Sequence, residues 1–115
     1  MIWWIGIGGS IGAAARYLLG RRLNNRSQFP AGTWLANITG SFLLGWLARL
    51  YMDNEISEWI WLFWGVGFCG AYTTFSTFGH ETVSFIQSGQ MKRAVSYVTA
   101  SLAAGLAAAS IGLFI

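Results

Sequence analysis

The chain has 115 residues, 55% of them hydrophobic and 10% charged, with a formal net charge of +3 and a mean hydropathy of +0.51. A soluble domain carries about 25% charged residues, so an ordinary soluble fold is excluded and the length allows one membrane domain over 1–115. The weak basic balance is not clustered with aromatics in polar surroundings, which sets nucleic acid aside. One cysteine (Cys69), one histidine (His80) and four acids leave no disulfide, no metal-ligand spacing and too little material for an enzyme's catalytic centre.

No basic stretch precedes the first apolar run, so a cleaved signal peptide is not expected. The first predicted span runs from about Ile2 to Leu19. Trp3 and Trp4 mark a membrane interface, where amphipathic rings collect. Gly8 and Gly12, and Gly9 and Ala13, sit four apart, a spacing that lets helix backbones approach closely. Arg16, near the far end, is either a snorkelling anchor or a positive lip drawing anions into a vestibule. Arg21 to Pro30 reads as a polar loop containing Asn24, Asn25 and Arg26, with Pro30 suited to a helix start.

The second predicted span runs from about Gly32 to Tyr51. Gly32, Ala36 and Gly40 form a small-residue ridge, with Asn37, Ser41 and Gly45 on the next. A carboxamide in a bilayer core is costly without partners. Asn37 therefore either bonds a neighbouring helix or faces an anion with its NH₂ donor. Asp53, Glu55 and Glu58 follow as an acidic loop.

The third apolar segment, from about Trp59 to Ile86, contains Gly70-Ala71-Tyr72-Thr73-Thr74-Phe75-Ser76-Thr77-Phe78 at its centre. Glycine and β-branched threonines disfavour helix, and Ser and Thr hydroxyls compete for backbone partners. The stretch predicts a helix broken near the bilayer midplane, with one half from Trp59 to Phe68, about ten residues, and the other from Phe75 to Gln87. The alternative is a continuous helix whose hydroxyls bond their own i−4 carbonyls. Irregular backbone at membrane depth needs protein or a polar cavity around it, and a broken helix is a pointer to an ion site. His80 and Glu81 lie in the second half; so placed, such residues are more often solvated or paired than functional, and a functional role is the other reading. After a tight turn at Gln87-Ser88-Gly89-Gln90, a fourth span runs from about Met91 to Ile115. Ala100, Ala104, Ala108 and Gly112 form one ridge; Ser101, Gly105 and Ala109 form the next. The Tyr97 and Ser101 hydroxyls share a face at i, i+4 and serve either interhelical bonding or a polar lining.

If these groups line a path, its donors are neutral: the Asn37 amide, Ser and Thr hydroxyls and Tyr97, flanked by Phe75 and Phe78, whose ring edges are partially positive. Neutral, multi-site donors suit passive anion conduction. The unwound carbonyls and the end of the first half-helix suit a small cation such as Na⁺.

Three motifs in order carry a resemblance that covers essentially the whole chain. Gly8-Gly9-Ser10-Ile11-Gly12-Ala13-Ala14-Ala15-Arg16-Tyr17 resembles the first-helix motif of the Fluc (CrcB) fluoride channels. The stretch from Pro30 to Phe42 resembles their second motif, and Gly67 to Phe78 their third. The resemblance implies an all-α membrane protein of four transmembrane helices, the third broken, in an antiparallel dual-topology dimer in the cell's inner (plasma) membrane. It implies passive efflux of cytoplasmic fluoride through two pores at the subunit interface. It also implies a structural Na⁺ at the dimer centre, held by backbone carbonyls matching Gly70 and Thr73. Phe75 and Phe78 match the fluoride-facing phenylalanines and Asn37 the pore asparagine. Ser76, Thr77, Tyr97 and Ser101 match the polar lining, and Arg16 the vestibule. Two positions depart from the pattern: Ala71 replaces a frequent second glycine, and Gly105 stands where some members carry a hydroxyl.

A small multidrug-type proton-coupled transporter is the alternative of equal length, but it needs an intramembrane carboxylate early in the chain, and the first two spans have none. An accessory membrane subunit is a third reading. Arg21, Arg22, Arg26, Lys92 and Arg93 fall on one side and Arg49 on the other, so the positive-inside rule puts the first and third loops in the cytoplasm. A dual-topology homodimer should carry little bias. The homodimer is favoured because one chain holds all the main motifs, with a heterodimer as the second assembly.

Overall fold

The computed structural model describes residues 2–23 and 30–115, with the side chain of Ser76 left out. Asn24, Asn25 and Arg26 of the expected first loop therefore lie outside the described residues. Regular structure among the described residues is helical throughout and forms four legs. The first leg is α1 (Ile2–Leu23) and the second α2 (Ala31–Met52). The third is split into α3 (58–72) and α4 (Ser76–Gln87), and the fourth is α5 (Met91–Phe114).

Local chemistry sets the ends. α1 runs four residues past its expected end at Leu19, and Arg21 and Arg22 lie in its last turn, where a cation meets the negative end of the helix dipole. At the start of α2, Trp34 N–H donates to Pro30 O at 3.1 Å. Both α2 and α4 end in Schellman motifs on a left-handed residue, Asn54 (φ 57°) and Gly89 (φ 77°). In each, a backward bond closes the turn: Glu55 N–H to Leu50 O and Gln90 N–H to Phe85 O, both 2.8 Å.

The third leg differs from expectation in its winding. Between Glu58–Ile60 and Gly70–Tyr72, the nine residues Trp61–Cys69 wind as π-helix, a rare conformation that concentrates at functional sites. Gly65, Gly67 and Cys69 are its buried residues. The Gly67 backbone lies so close to α1 that an added Cβ would stand 2.6 Å from Ile5 O.

Small residues let two pairs of helices touch through their backbones. α1 packs on α3, with Gly8 against Phe63 O and Gly12 against Phe68 O; α2 packs on α5, with Gly45 against Ala109 O and Gly112 against Phe42 O. At each of these positions a Cβ would collide with main chain, which cannot move aside as a side chain can. Of the ridges expected in α1, Gly8/Gly12 makes the closest backbone approach; a Cβ on Gly9 would stand in ordinary contact, 3.6 Å from Gly67 O.

The distribution of apolar groups is inside out. Among the described residues, six hydrophobic ones form the buried core, Ala36, Leu47, Cys69, Ala94, Tyr97 and Ala108, while 24 large apolar side chains are exposed. A soluble monomer rarely shows such a surface. It suits lipid tails or a second subunit. α5 alone among the described helices is long and apolar enough to cross a membrane by length and composition. Glycines, hydroxyls and Arg16 dilute α1 and α2, and the break divides the third leg into two short pieces.

Candidate functional site

The site is built on the interruption of the third leg. Helical geometry continues through Gly70 (φ −61°, ψ −35°) and stops at Thr73 (φ −76°, ψ 153°). The break therefore comes three residues after the glycine expected to start it. Its cause is a competing partner. In a continuous helix Thr74 N–H would donate to Gly70 O. Instead it donates to Asn37 Oδ1 at 2.7 Å, while Asn37 Nδ2 donates to Thr74 O at 3.1 Å. A carboxamide carries the same donor and acceptor as a peptide group, so Asn37 supplies Thr74 with a substitute for the helix ladder.

The other backbone groups are satisfied nearby, as buried polar groups must be. Cys69 O accepts from both Thr73 N–H (3.0 Å) and Thr73 Oγ1 (2.8 Å), closing α3. Arg16 Nε donates to Ala71 O at 2.9 Å. Thr74 Oγ1 accepts from Thr77 N–H at 3.1 Å, capping the start of α4. The carbonyls of Gly70 and Thr73 accept no hydrogen bond among the described residues. Gly70 is exposed, and a Cβ there would meet nothing within 4 Å.

Two cavities meet at this break. A groove of about 390 Å³ is lined by Asn37, Ser41, Thr73, Thr74, Phe75, Phe78, Ser101 and Gly105, with leucines along its outer edge. The two phenylalanine rings lie 6.3 Å apart between centroids at 46°. Phe75 is 85% exposed, whereas Phe78 packs on Tyr97 at 5.0 Å. The second cavity, about 470 Å³, is lined by Arg16, Tyr17, Gly20, Arg21, Thr33, Thr74 and Thr77. Thr74 lines both. The groove presents neutral polar groups and aromatic rings; the second cavity adds two cations.

Of the residues singled out in the sequence, Asn37, Phe75, Phe78 and Ser101 thus share the groove, and Arg16 and Thr77 share the second cavity. The Ser76 side chain lies outside the described residues. Tyr97 is not brought to either cavity. It is fully buried and donates to Glu81 Oε1 at 2.9 Å, so its hydroxyl and that of Ser101 serve different surroundings. Glu81 Oε2 accepts from Thr33 Oγ1 at 3.3 Å. Glu81 is thereby paired, one of the readings left open for it. Thr33, Thr74 and Ser41 were not among the candidate site residues. The clustering of Thr73, Thr74, Ser76 and Thr77 was the available signal for Thr74; nothing in the sequence ties Thr33 to Glu81, 48 residues away.

An apolar exterior, a bundle of four legs with backbone-close packing, and a leg interrupted where two cavities meet define a small helical membrane protein built around a discontinuous helix. The chain belongs to the CrcB family: the family model described as CrcB-like protein, Camphor Resistance, matches residues 3–113. Among similar curated proteins is the fluoride-specific ion channel FluC 2 of Bacillus subtilis (strain 168), 47% identical over 109 residues, covering 95% of this chain and 82% of that one. FluC 2 of Moorella thermoacetica is 45% identical over 115 residues, covering 97% and 93%. FluC of Acidobacterium capsulatum is 44% identical over 116 residues, covering 97% and 92%.

Proposed function

We propose that this chain is a fluoride-selective channel that lets cytoplasmic fluoride leave the cell passively. The observation that carries the reading is the groove. It holds the Asn37 amide, two serine hydroxyls and the Phe75–Phe78 pair, and no Lys or Arg among its described lining residues. Such a lining binds a small anion through neutral donors and ring edges, weakly enough to release it. The relatives' names agree with it. Arg16 and Arg21 in the second cavity raise the local anion concentration. Thr74, which lines both, then joins that entrance to the groove. Hydrogen fluoride enters cells as the neutral acid and ionises inside. A negative-inside potential of 100 mV drives each anion outward with about 2.3 kcal/mol, so a channel suffices.

The groove is open along one side and Phe75 stands out from it, so the path is completed by a second, antiparallel copy in the plasma membrane, all four legs crossing. That pairing gives two pores. Gly70 and Thr73 fit the implied sodium ion. Their carbonyls are uncommitted neutral oxygens at the negative end of a half-helix, and no His/Cys/Asp/Glu cluster competes among the described residues. When bound, sodium would supply a fixed positive charge that ties the breaks of two subunits together. A heterodimer is the second assembly, favoured by the collection of Arg21 and Arg22 in the last turn of α1 and Lys92 and Arg93 in the first turn of α5.

The deciding experiment is purification, reconstitution into liposomes and measurement of fluoride release with an ion-selective electrode under an imposed potential. Fluoride release well above chloride release is expected. Reconstituted dimer that releases neither ion overturns the channel reading.

A further inference from the structure

In a membrane helix, a serine or threonine hydroxyl normally donates to the carbonyl one turn back. Ser10, Thr39, Thr73, Thr82 and Ser84 do so here, with distances of 2.7–3.0 Å. Ser41 and Ser101 do not. Neither hydroxyl has a partner among the described residues, and Ser101 Oγ is closed off from solvent as well. Both line the groove. Ser96, Thr99 and Ser110 on α5 also lack partners, but they are exposed, where lipid headgroups or water can serve them.

Ser41 lies one turn beyond Asn37 on α2 and faces a gap in α5. A Cβ built on Gly105 would stand 3.8 Å from Ser41 Oγ and meet nothing else within 4 Å. At this level of the groove α5 therefore supplies no side chain, and the hydroxyl comes from the opposite wall.

We propose that Ser41 is an anion-binding residue of the groove, donating its hydroxyl to the permeating ion at the level where Gly105 offers none. The assignment rests on the fluoride-channel reading. The competing explanation is size: serine is small, and α2 meets α5 closely at Gly45 and Gly112.

Substitutions separate the two, because alanine is smaller than serine and threonine is larger. Ser41→Ala is expected to lower fluoride flux by about tenfold or more, the order of one lost hydrogen bond to a charged partner. Ser41→Thr should retain most of the flux, and Gly105→Ser placed in the Ser41→Ala background should restore part of it from the other wall. Undiminished flux in Ser41→Ala overturns the proposal. So does a loss that Gly105→Ser fails to repair while Ser41→Thr is equally impaired, since that pattern reports packing. If Ser41→Ala gives no dimer on size exclusion, Ser41→Cys, close in size but a weak donor, takes its place under the same two criteria. Wild-type protein in the same liposomes keeps the questions apart: absent wild-type flux counts against the channel, whereas normal wild-type flux with an unaffected Ser41→Ala counts against Ser41 alone.

Discussion

Asn37 holds Thr74 by both of its backbone groups, accepting from the N–H at 2.7 Å and donating to the carbonyl at 3.1 Å. The pair connects elements 37 residues apart and fixes where the third leg stops being helical. One carboxamide hydrogen is used on Thr74, and the second has no partner among the described residues. The same side chain can therefore organise the break and offer a donor to the groove.

Asn37→Asp tests both roles. An ionised carboxylate still accepts from Thr74 N–H but has nothing to donate to Thr74 O and repels an anion. Flux should vanish, and the lost donor should cost about 1–3 kcal/mol of stability. Electrode-measured flux and thermal unfolding in detergent check the two halves of the prediction. Unchanged flux at neutral pH, in dimer of normal yield, would leave Asn37 with the structural role only.

Phe75 and Phe78 should separate in stability though not in function. Phe75 is 85% exposed, whereas Phe78 packs on the buried Tyr97. Phe75→Ile should abolish most flux with little change in the unfolding of a subunit. Phe78→Ile should abolish flux and also destabilise by about 1 kcal/mol, through the lost aromatic contact. A Phe75→Ile/Phe78→Ile protein that conducts like wild type would remove both rings from the path.

Glycines should sort by what faces them. At Gly112 a Cβ would run into Phe42 O, and at Gly12 into Phe68 O. Gly112→Ala and Gly12→Ala should each destabilise by about 1–3 kcal/mol, the cost of overpacking. Gly6 and Gly79 are helical and have nothing within 4 Å, so alanine there should be neutral or stabilising by up to about 1 kcal/mol. Thermal unfolding of the four variants gives the order directly.

Orientation follows from charge. Single cysteines introduced into the first loop of a Cys69→Ser background, with the chain expressed alone, should label from both sides of the membrane if the homodimer is right. Labelling from one side only, with flux appearing only after a second homologue is co-expressed, would establish the heterodimer.

The helical legs were legible because their largely apolar stretches are ended by ordinary chemistry: Pro30, the acidic loop that opens at Asp53, and Gly89. Close-packed ridges were legible for the same reason, as glycine at helical spacing has one common use. The location of the break was less so. Gly70 has the lowest local helix propensity of its stretch, yet it is helical, because propensity loses to a strong partner brought from another helix. The π winding of Trp61–Cys69 left no periodic mark in a segment that is apolar all round. The partners of Tyr97 were hidden too, since a hydroxyl's choice between Glu81 and a cavity is decided by packing.

Closing the break would also change the reach of the third leg. A single α-helix over 58–87 would extend about 45 Å, well beyond a hydrocarbon layer of about 30 Å. It could be accommodated only by strong tilt or by local thickening of the bilayer, and that cost grows with each ångström of mismatch. α1 and α2, at 22 residues each, reach about 33 Å. The interruption held by Asn37 thus gives the third leg room to fold back toward the length of its neighbours, and a variant that healed it should prefer thicker membranes than the wild type does.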